Sequence, residues 1–241
     1  MRNDTLHLSG NKPLMVAHRG VSGLEVENTC AAFVAAGNRS YHGIETDVHV
    51  TKDGKYIIIH DDNTERIAGD KLIVEETTYE TLRGIHLLDK DGLRGRSDLV
   101  LANLNEYSSI CKKYNKYSVL ELKNHMEKEH IKGIVDCVDA VGWLKKTIFI
   151  SFDLPNMIAL RELLPNQPAQ YLYMKIDDTL IPTLKQYKLD LDMYYKAVNK
   201  DFIDKCHAEN IKVNVWTPDT LEECSQLAQW GVDYITSNIV E

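Results

Sequence analysis

His18-Arg19 and His60-Asp61, with Glu45 and Asp47 between them, bring several kinds of reactive group into one stretch of a 241-residue chain. Imidazole titrates near neutrality, so two histidines can trade protons with a substrate. A pair of carboxylates suits a hard cation, and an arginine suits an anion. Each group stands on or at the end of an apolar run: PLMVAH (13 to 18), GIETDVHV (43 to 50) or YIIIH (56 to 60). The combination points to chemistry at a phosphodiester.

The elements that must position these residues alternate along the chain. PLMVAH reads as a strand and NTCAAFVAAG (28 to 37) as a helix, with Asn28 as its N-cap and Gly37 as its stop. GIETDVHV alternates, TKDGK supplies an Asp-Gly turn, and YIIIH returns as a hairpin partner. Residues 61 to 98 read as an excursion of loops and short helix. Helices are then predicted near 103 to 115, 127 to 141, 155 to 164, 178 to 187, 199 to 209 and 219 to 230, separated by strands at 118 to 123, 147 to 152, 169 to 174, 191 to 195, 211 to 216 and 232 to 237. Eight strands, each but the last followed by a helix, predict an α/β fold, a (β/α)8 TIM barrel, because parallel strands need crossovers and eight tilted strands close on themselves. An open doubly wound sheet normally carries a Gly-rich fingerprint after its first strand, which His18-Arg19-Gly20-Val21-Ser22-Gly23 matches poorly. The expected organisation is a single domain over 1 to 241, with a small insertion after strand two at about 61 to 98 and a truncated last helix. Something else must then cover the eighth strand, and residues 1 to 12 are placed at the barrel bottom.

In such barrels the active site lies at the C-terminal ends of the strands. Glu45 and Asp47 share one face of their strand, opposite Ile44, Val48 and Val50, and so project into the barrel mouth. Unpaired, they would repel and resist ionisation; a cation between them is the simplest compensation, and all-oxygen ligation favours Mg2+ or Ca2+. Glu121 in LELK is the natural third ligand, with Lys123 on the same face. An isolated Glu-x-Asp would equally describe a salt-bridged pair, so the weight rests on the combination. His49 shares the face of Glu45 and Asp47 and reads as structural. His7, His42, His86, His125, His130 and His207 have no partner pattern and read as surface or loop residues. Trp216, ending IKVNVW before Thr217-Pro218, stands at the mouth as an apolar wall.

Composition excludes other classes. Lys and Arg number 28 against 36 Asp and Glu, a formal charge of −8 with no dense basic block, so no nucleic-acid partner is expected. MRNDTLHLSGNKP lacks an apolar signal core, and no run approaches the roughly 18 apolar residues of a membrane span. No stable membrane insertion and a cytoplasmic location are the expectations. Five dispersed cysteines without a CxxC suit a reducing compartment.

The runs AHRG (17 to 20), ENT (27 to 29), IETDV (44 to 48), TKDG (51 to 54), HDDNTER (60 to 66), LELK (120 to 123), VNVWT (213 to 217) and DYITSN (233 to 238) resemble the glycerophosphodiester phosphodiesterase family, in order and over essentially the whole chain. The resemblance implies a TIM barrel, a divalent cation, and hydrolysis of a small glycerophosphodiester to sn-glycerol 3-phosphate and an alcohol. It matches His18 and His60 to the acid/base pair, Glu45, Asp47 and Glu121 to the metal ligands, Arg19 and Lys123 to phosphate contacts, and Trp216 to a glycerol-side wall. Which histidine is base, and whether a glycerol hydroxyl or water attacks, stay open at this level; nothing in the motifs speaks to oligomeric state. The chain departs from the family pattern at Val26, where Pro usually precedes ENT, at LVLANLNE (99 to 106), expected to border the mouth, and in its short tail SNIVE. A lysophospholipase D or sphingomyelinase D-like enzyme would use the same constellation on a lipid and would need an apolar rim. Tyr171, Tyr173, Tyr194 and Tyr195 are candidates for it, but read better as packing. A silent barrel that binds a phosphate ligand would have no use for both histidines and all three carboxylates.

Overall fold

Eight parallel strands close on themselves in the computed structural model, which describes residues 3 to 10 and 12 to 241. In chain order the elements are β1 (Leu14–Ala17), α1 (Cys30–Gly37), β2 (Gly43–Val50), β3 (Tyr56–Ile58), α2 (Glu65–Ala68), α3 (Tyr79–Arg83), α4 (Leu104–Lys113), β4 (Tyr117–Leu122), α5 (Lys128–Val141), β5 (Thr147–Ser151), α6 (Leu154–Leu163), β6 (Ala169–Tyr173), α7 (Leu180–Tyr187), β7 (Asp190–Tyr194), α8 (Lys200–Ala208), β8 (Val213–Trp216), α9 (Leu221–Trp230) and β9 (Tyr234–Ser237). The sheet runs β1-β9-β8-β7-β6-β5-β4-β2, and β1 pairs with β2 to close the barrel. β3 lies outside it, antiparallel to β2, with Val48 opposite Ile58. This is the predicted (β/α)8 barrel with a hairpin grafted on strand two.

Alternation along each strand sorts side chains between two cores. From β2, Ile44 and Val48 face the helices and join the large cluster with Phe33, Tyr107 and Leu120. Inside the barrel, Val16, Val119, Ile148, Ile150, Leu172 and Tyr234 form a smaller cluster beneath the mouth. Alanines let α1 lie close to α4, where Phe33 meets Tyr107 edge to face at 5.0 Å. α1 is capped by Thr29, whose hydroxyl accepts from the Ala32 N–H, and not by Asn28 as the sequence suggested.

The stretch expected as loops and short helix carries α2 and α3 and builds a third core. Ile57 and Ile59 from the hairpin, Ile67 and Ala68 of α2, Leu82 of α3, and Leu87, Leu99 and Leu101 pack together with Val26. LVLANLNE does not line the cavity at the mouth: Leu99 and Leu101 fill this core, Leu104 joins the large cluster, Ile58 N–H donates to the Ala102 carbonyl, and Asn103 with Glu106 forms a capping box for α4. Val26, standing where the family has Pro, packs in the same cluster.

No helix follows β9 within this sequence. Leu6 N–H donates to the Ile239 carbonyl and Leu8 N–H to that of Glu241, which buries Leu8, Ile239 and Val240 in the large cluster. The Glu241 carboxylate accepts from the Ser40 N–H, in the loop entering β2. The N-terminal segment thus covers the side of the barrel as well as approaching its bottom; Met1, Arg2 and Asn11 lie outside the described residues. Among those residues no helix is long and apolar enough to cross a membrane, and the five cysteines are free thiols.

The turn leaving β1 decides where the first site residues point. Arg19 and Gly20 are both left-handed, at φ 52° and 75°. Gly20 N–H donates to the Glu45 carbonyl, and a Cβ at Gly20 would lie 2.7 Å from the Ala32 backbone. Gly20→Ala is expected to cost about 1–3 kcal/mol through strain and overpacking. In thermal melts the transition should fall by at least about 2 °C; an unchanged transition would mean that the turn moves off α1 without cost.

Candidate active site

Parallel pairing of β2 with β4 sets Asp47 opposite Glu121 and Glu45 opposite Val119, so three inward carboxylates meet at the strand ends. One oxygen from each of Glu45, Asp47 and Glu121 lies within 4.8 Å of the others, and the residues are 3%, 1% and 7% exposed. Two cations answer them. Lys123 Nζ is 3.0 Å from Glu121 and 3.7 Å from Asp47 Oδ1, and Arg19 Nε is 3.7 Å from Asp47 Oδ2. The left-handed Arg19 also aims its backbone N–H at Glu45 Oε2, 2.8 Å away. Asn28, left-handed at φ 57°, donates from Nδ2 to Asp47 Oδ2 and accepts from the Thr46 hydroxyl. Burial raises all three carboxyl pKa values. For Asp47, Lys123 and Arg19 outweigh it and bring the group to about 2. For Glu121, burial and then the Asp47 charge prevail and push it to about 8, and the same two causes raise Glu45. Asp47 Oδ1 has no hydrogen-bond partner. A buried all-oxygen set with an unpartnered carboxylate oxygen fits a hard divalent cation.

Each histidine is clamped at Nδ1. His18 Nδ1 lies 2.7 Å from Asn238 Oδ1, and Asn238 is fixed because its own Nδ2 donates to Asp219 at 2.6 Å. An amide oxygen only accepts, so Nδ1 carries the proton and Nε2 the lone pair, 3.9 Å from Glu45 Oε2. His60 Nδ1 lies 2.7 Å from Asp61 Oδ1 and takes the same tautomer. Burial, reinforced by Arg19, lowers His18 to about 4; burial also lowers His60, against the pull of Asp47. Arg66 of α2 then ties the two halves together. It donates to Asp61 Oδ2 at 2.7 Å and to both oxygens of Glu27 at 2.8 Å, and Glu27 accepts from Arg19 Nη1 at 2.9 Å.

His18, Arg19, Glu45, His60 and Glu121 form one side of a cavity of about 100 Å3, and Ile150, Phe152, Leu172, Asp192 and Trp216 form the other. Of the predicted residues, Asp47 and Lys123 do not line it and join the others through the ion pairs above. Trp216 is the expected wall, with Phe152 edge-on at 5.7 Å and Tyr194 at 5.4 Å. His49 is fully buried off the cavity, its Nε2 3.4 Å from the His60 carbonyl. His207 and His125, read as unpartnered, sit 2.9 Å from Asp233 and 3.2 Å from Asp153 at the surface. Sequence reasoning missed Glu27, Asn28, Arg66, Asp192 and Asn238. All but Asp192 fall inside the motifs quoted for the family, and Asp192 has only its inward parity on a strand as a signal.

These ionisations fix how stability depends on pH. A carboxyl whose folded pKa exceeds its ordinary value binds protons on folding, so Glu121 weakens the fold as pH rises from 4.5 to about 8. His18, depressed from 6.5 to about 4, acts oppositely, but only within that lower window. Between pH 6.5 and 8 the carboxyl effect stands alone, and chelator-treated protein is expected to melt at progressively lower temperature across that range. A flat or rising profile would show that Glu121 is ionised throughout.

Comparison with known proteins finds relatives over nearly the whole chain. A glycerophosphodiester phosphodiesterase of Caldanaerobacter subterraneus is 25% identical over 234 residues, covering 94% of each chain. The structure of an Oleispira antarctica phosphodiesterase in complex with the product sn-glycerol-3-phosphate superposes with a TM-score of 0.87 at 23% identity, over 96% of this chain and 95% of that one. That of a glycerophosphodiester phosphodiesterase from Parabacteroides distasonis gives 0.77 at 26% identity, over 95% and 94%. The family model described as the glycerophosphoryl diester phosphodiesterase family matches residues 18 to 241, and with the closed barrel and the acidic mouth in place, the chain belongs to that family.

Proposed function

We propose that this protein hydrolyses glycerophosphodiesters to sn-glycerol 3-phosphate and an alcohol, with His18 and His60 moving the protons and Glu45, Asp47 and Glu121 holding Mg2+ or Ca2+. The observation that carries the reading is the pair of histidines, each clamped at Nδ1, on one cavity with the carboxylate cluster. Family membership and the names of its relatives support it. The same reading treats residues 1 to 241 as one catalytic unit, since Arg66 of the insertion grips both Asp61 and Glu27.

A bound divalent cation supplies positive charge against the phosphate oxygens as charge develops on them. Arg19 adds positive charge beside the phosphate: Glu27 holds Nη1, while the buried Nε, 3.7 Å from Asp47 Oδ2, makes no hydrogen bond. The Nδ1 partners assign the proton roles. Asp61 is a carboxylate and stabilises an imidazolium, so His60 protonates the departing alkoxide. Asn238 is neutral and offers His18 no such support, so His18 takes the proton from the nucleophile through Nε2. The nucleophile is water or the adjacent glycerol hydroxyl; in the second case water opens the cyclic phosphate with the two histidines exchanging roles.

One observation favours a second reading, a lipid phosphodiesterase. Phe152, Met174 and Ile176 are 43%, 53% and 38% exposed just beyond the C-terminal ends of β5 and β6, and Phe152 meets Trp216 edge-on. The tyrosines considered for an apolar rim do not supply one: Tyr171 and Tyr173 pack on the large core, and Tyr194 backs Trp216.

His18→Ala and His60→Ala should each lower turnover of glycerophosphocholine by about 10²-fold or more, read as released sn-glycerol 3-phosphate. EDTA should abolish the activity and Mg2+ or Ca2+ restore it. Near wild-type rates in either variant, or full activity in EDTA, would overturn the assignment, and faster metal-dependent cleavage of a lysophospholipid would favour the second reading. The pH profile of kcat/KM should rise as His18 loses its proton and fall as His60 loses its own. Asp61→Asn should draw the falling limb to lower pH, because the imidazolium loses its carboxylate; movement of the rising limb instead would reverse the assigned roles.

A further inference from the structure

The apolar side of the cavity contains a carboxyl that the proposed hydrolysis leaves unused. Asp192 on β7 is 2% exposed and stands between Leu172 of β6 and Asn214 of β8 in the sheet register. Its oxygens are not among those that converge in the Glu45, Asp47 and Glu121 cluster. Neighbouring polar groups inside the barrel satisfy one another: the Thr236 hydroxyl donates to Asn214 Oδ1 at 3.2 Å, and Asn214 Nδ2 donates to Gln170 Oε1 at 3.1 Å. Asp192 Oδ1 is left without a partner, and so is the indole N–H of Trp216. Both residues line the same cavity.

A buried acceptor and a buried donor, each without a hydrogen-bond partner and each carried by a residue that lines one small space, describe a site for a group that both donates and accepts. A hydroxyl is such a group. We propose that Asp192, together with the Trp216 N–H, binds a hydroxyl of the glycerol unit and so selects phosphodiesters of a polyol over those of a plain alkyl alcohol. The proposal rests on the phosphodiesterase reading, which puts the phosphate between the two histidines and one ester arm against this wall. Ile150 and Leu172 beside Asp192 limit the access of water, so an arm without the hydroxyl leaves both polar atoms unpaired, and discrimination follows from that loss.

The test is calorimetric titration, in the presence of Mg2+, with sn-glycerol 3-phosphate and with propyl phosphate, which has the same three carbons and no free hydroxyl. The wild-type protein should bind the first about 10- to 100-fold more tightly, the scale of leaving buried polar groups unpaired. Asp192→Leu, close in shape, should remove that preference without weakening propyl phosphate, and Asp192→Asn, which keeps an acceptor oxygen, should retain most of it. Equal weakening of both ligands by Asp192→Leu, or a preference that survives it, would overturn the proposal. Should Asp192→Leu not fold, a wild-type protein with no preference between the two ligands would overturn it alone. A protein that prefers sn-glycerol 3-phosphate but cleaves no phosphodiester would sink the proposed function and leave the hydroxyl site standing.

Discussion

Mutual repulsion among Glu45, Asp47 and Glu121 is the constraint around which this end of the barrel is arranged. Two adjacent strands in fixed register bring them together, and burial removes most of the water that would screen them. Such an arrangement persists only with compensation close by. Lys123 and Arg19 provide it as charges, Asn28 and the Arg19 backbone as hydrogen bonds. The left-handed backbone at Arg19 and Asn28 follows from the same demand, since it aims an N–H in one case and a side-chain amide in the other at carboxylate oxygens. Local strain is tolerated here because the surrounding charges require it.

The histidines depend on that cluster and on a second layer of contacts. Their free nitrogens are defined by what holds the other ring nitrogen, and the two holders differ in kind: a neutral amide anchored by Asp219, and a carboxylate shared with Arg66. Arg66 belongs to the insertion, whose small core is built on the hairpin that delivers His60. The insertion therefore takes part in arranging the site. By gripping Asp61 and Glu27 together it couples the position of His60 to that of Arg19, which arrive on different strands.

Period-two patterning makes the barrel legible in the sequence, and the strand parity of Glu45, Asp47, Glu121 and Lys123 is enough to bring the acidic cluster together at the mouth. What escaped had a physical reason in each case. Asn28 before a helical run is locally indistinguishable from an N-cap; Thr29 takes that role only because Asp47, on another element, engages Asn28. Asn238 and Arg66 act through partners distant in sequence, Asp219 and Glu27, which no periodicity relates to them. The third core went unseen because its leucines and isoleucines are scattered over short elements and share no period. LVLANLNE was misplaced for the same reason.

The barrel interior is chemically divided, and the division bears on mechanism. β1, β2 and β4 contribute charge, whereas β5, β6 and β8 contribute Ile148, Ile150, Leu172 and Trp216. An apolar wall facing a charged one lowers the local dielectric, which strengthens the pull of fixed cations on a phosphate and also raises the cost of each carboxylate left uncompensated. The raised pKa values of Glu45 and Glu121 and the lowered ones of His18 and His60 are consequences of that single environment. Asp192 is the exception on the apolar side, a carboxyl kept where burial pushes its pKa well up. Packing alone would favour an aliphatic residue at that position, so its presence is explained by what it binds and not by what it stabilises.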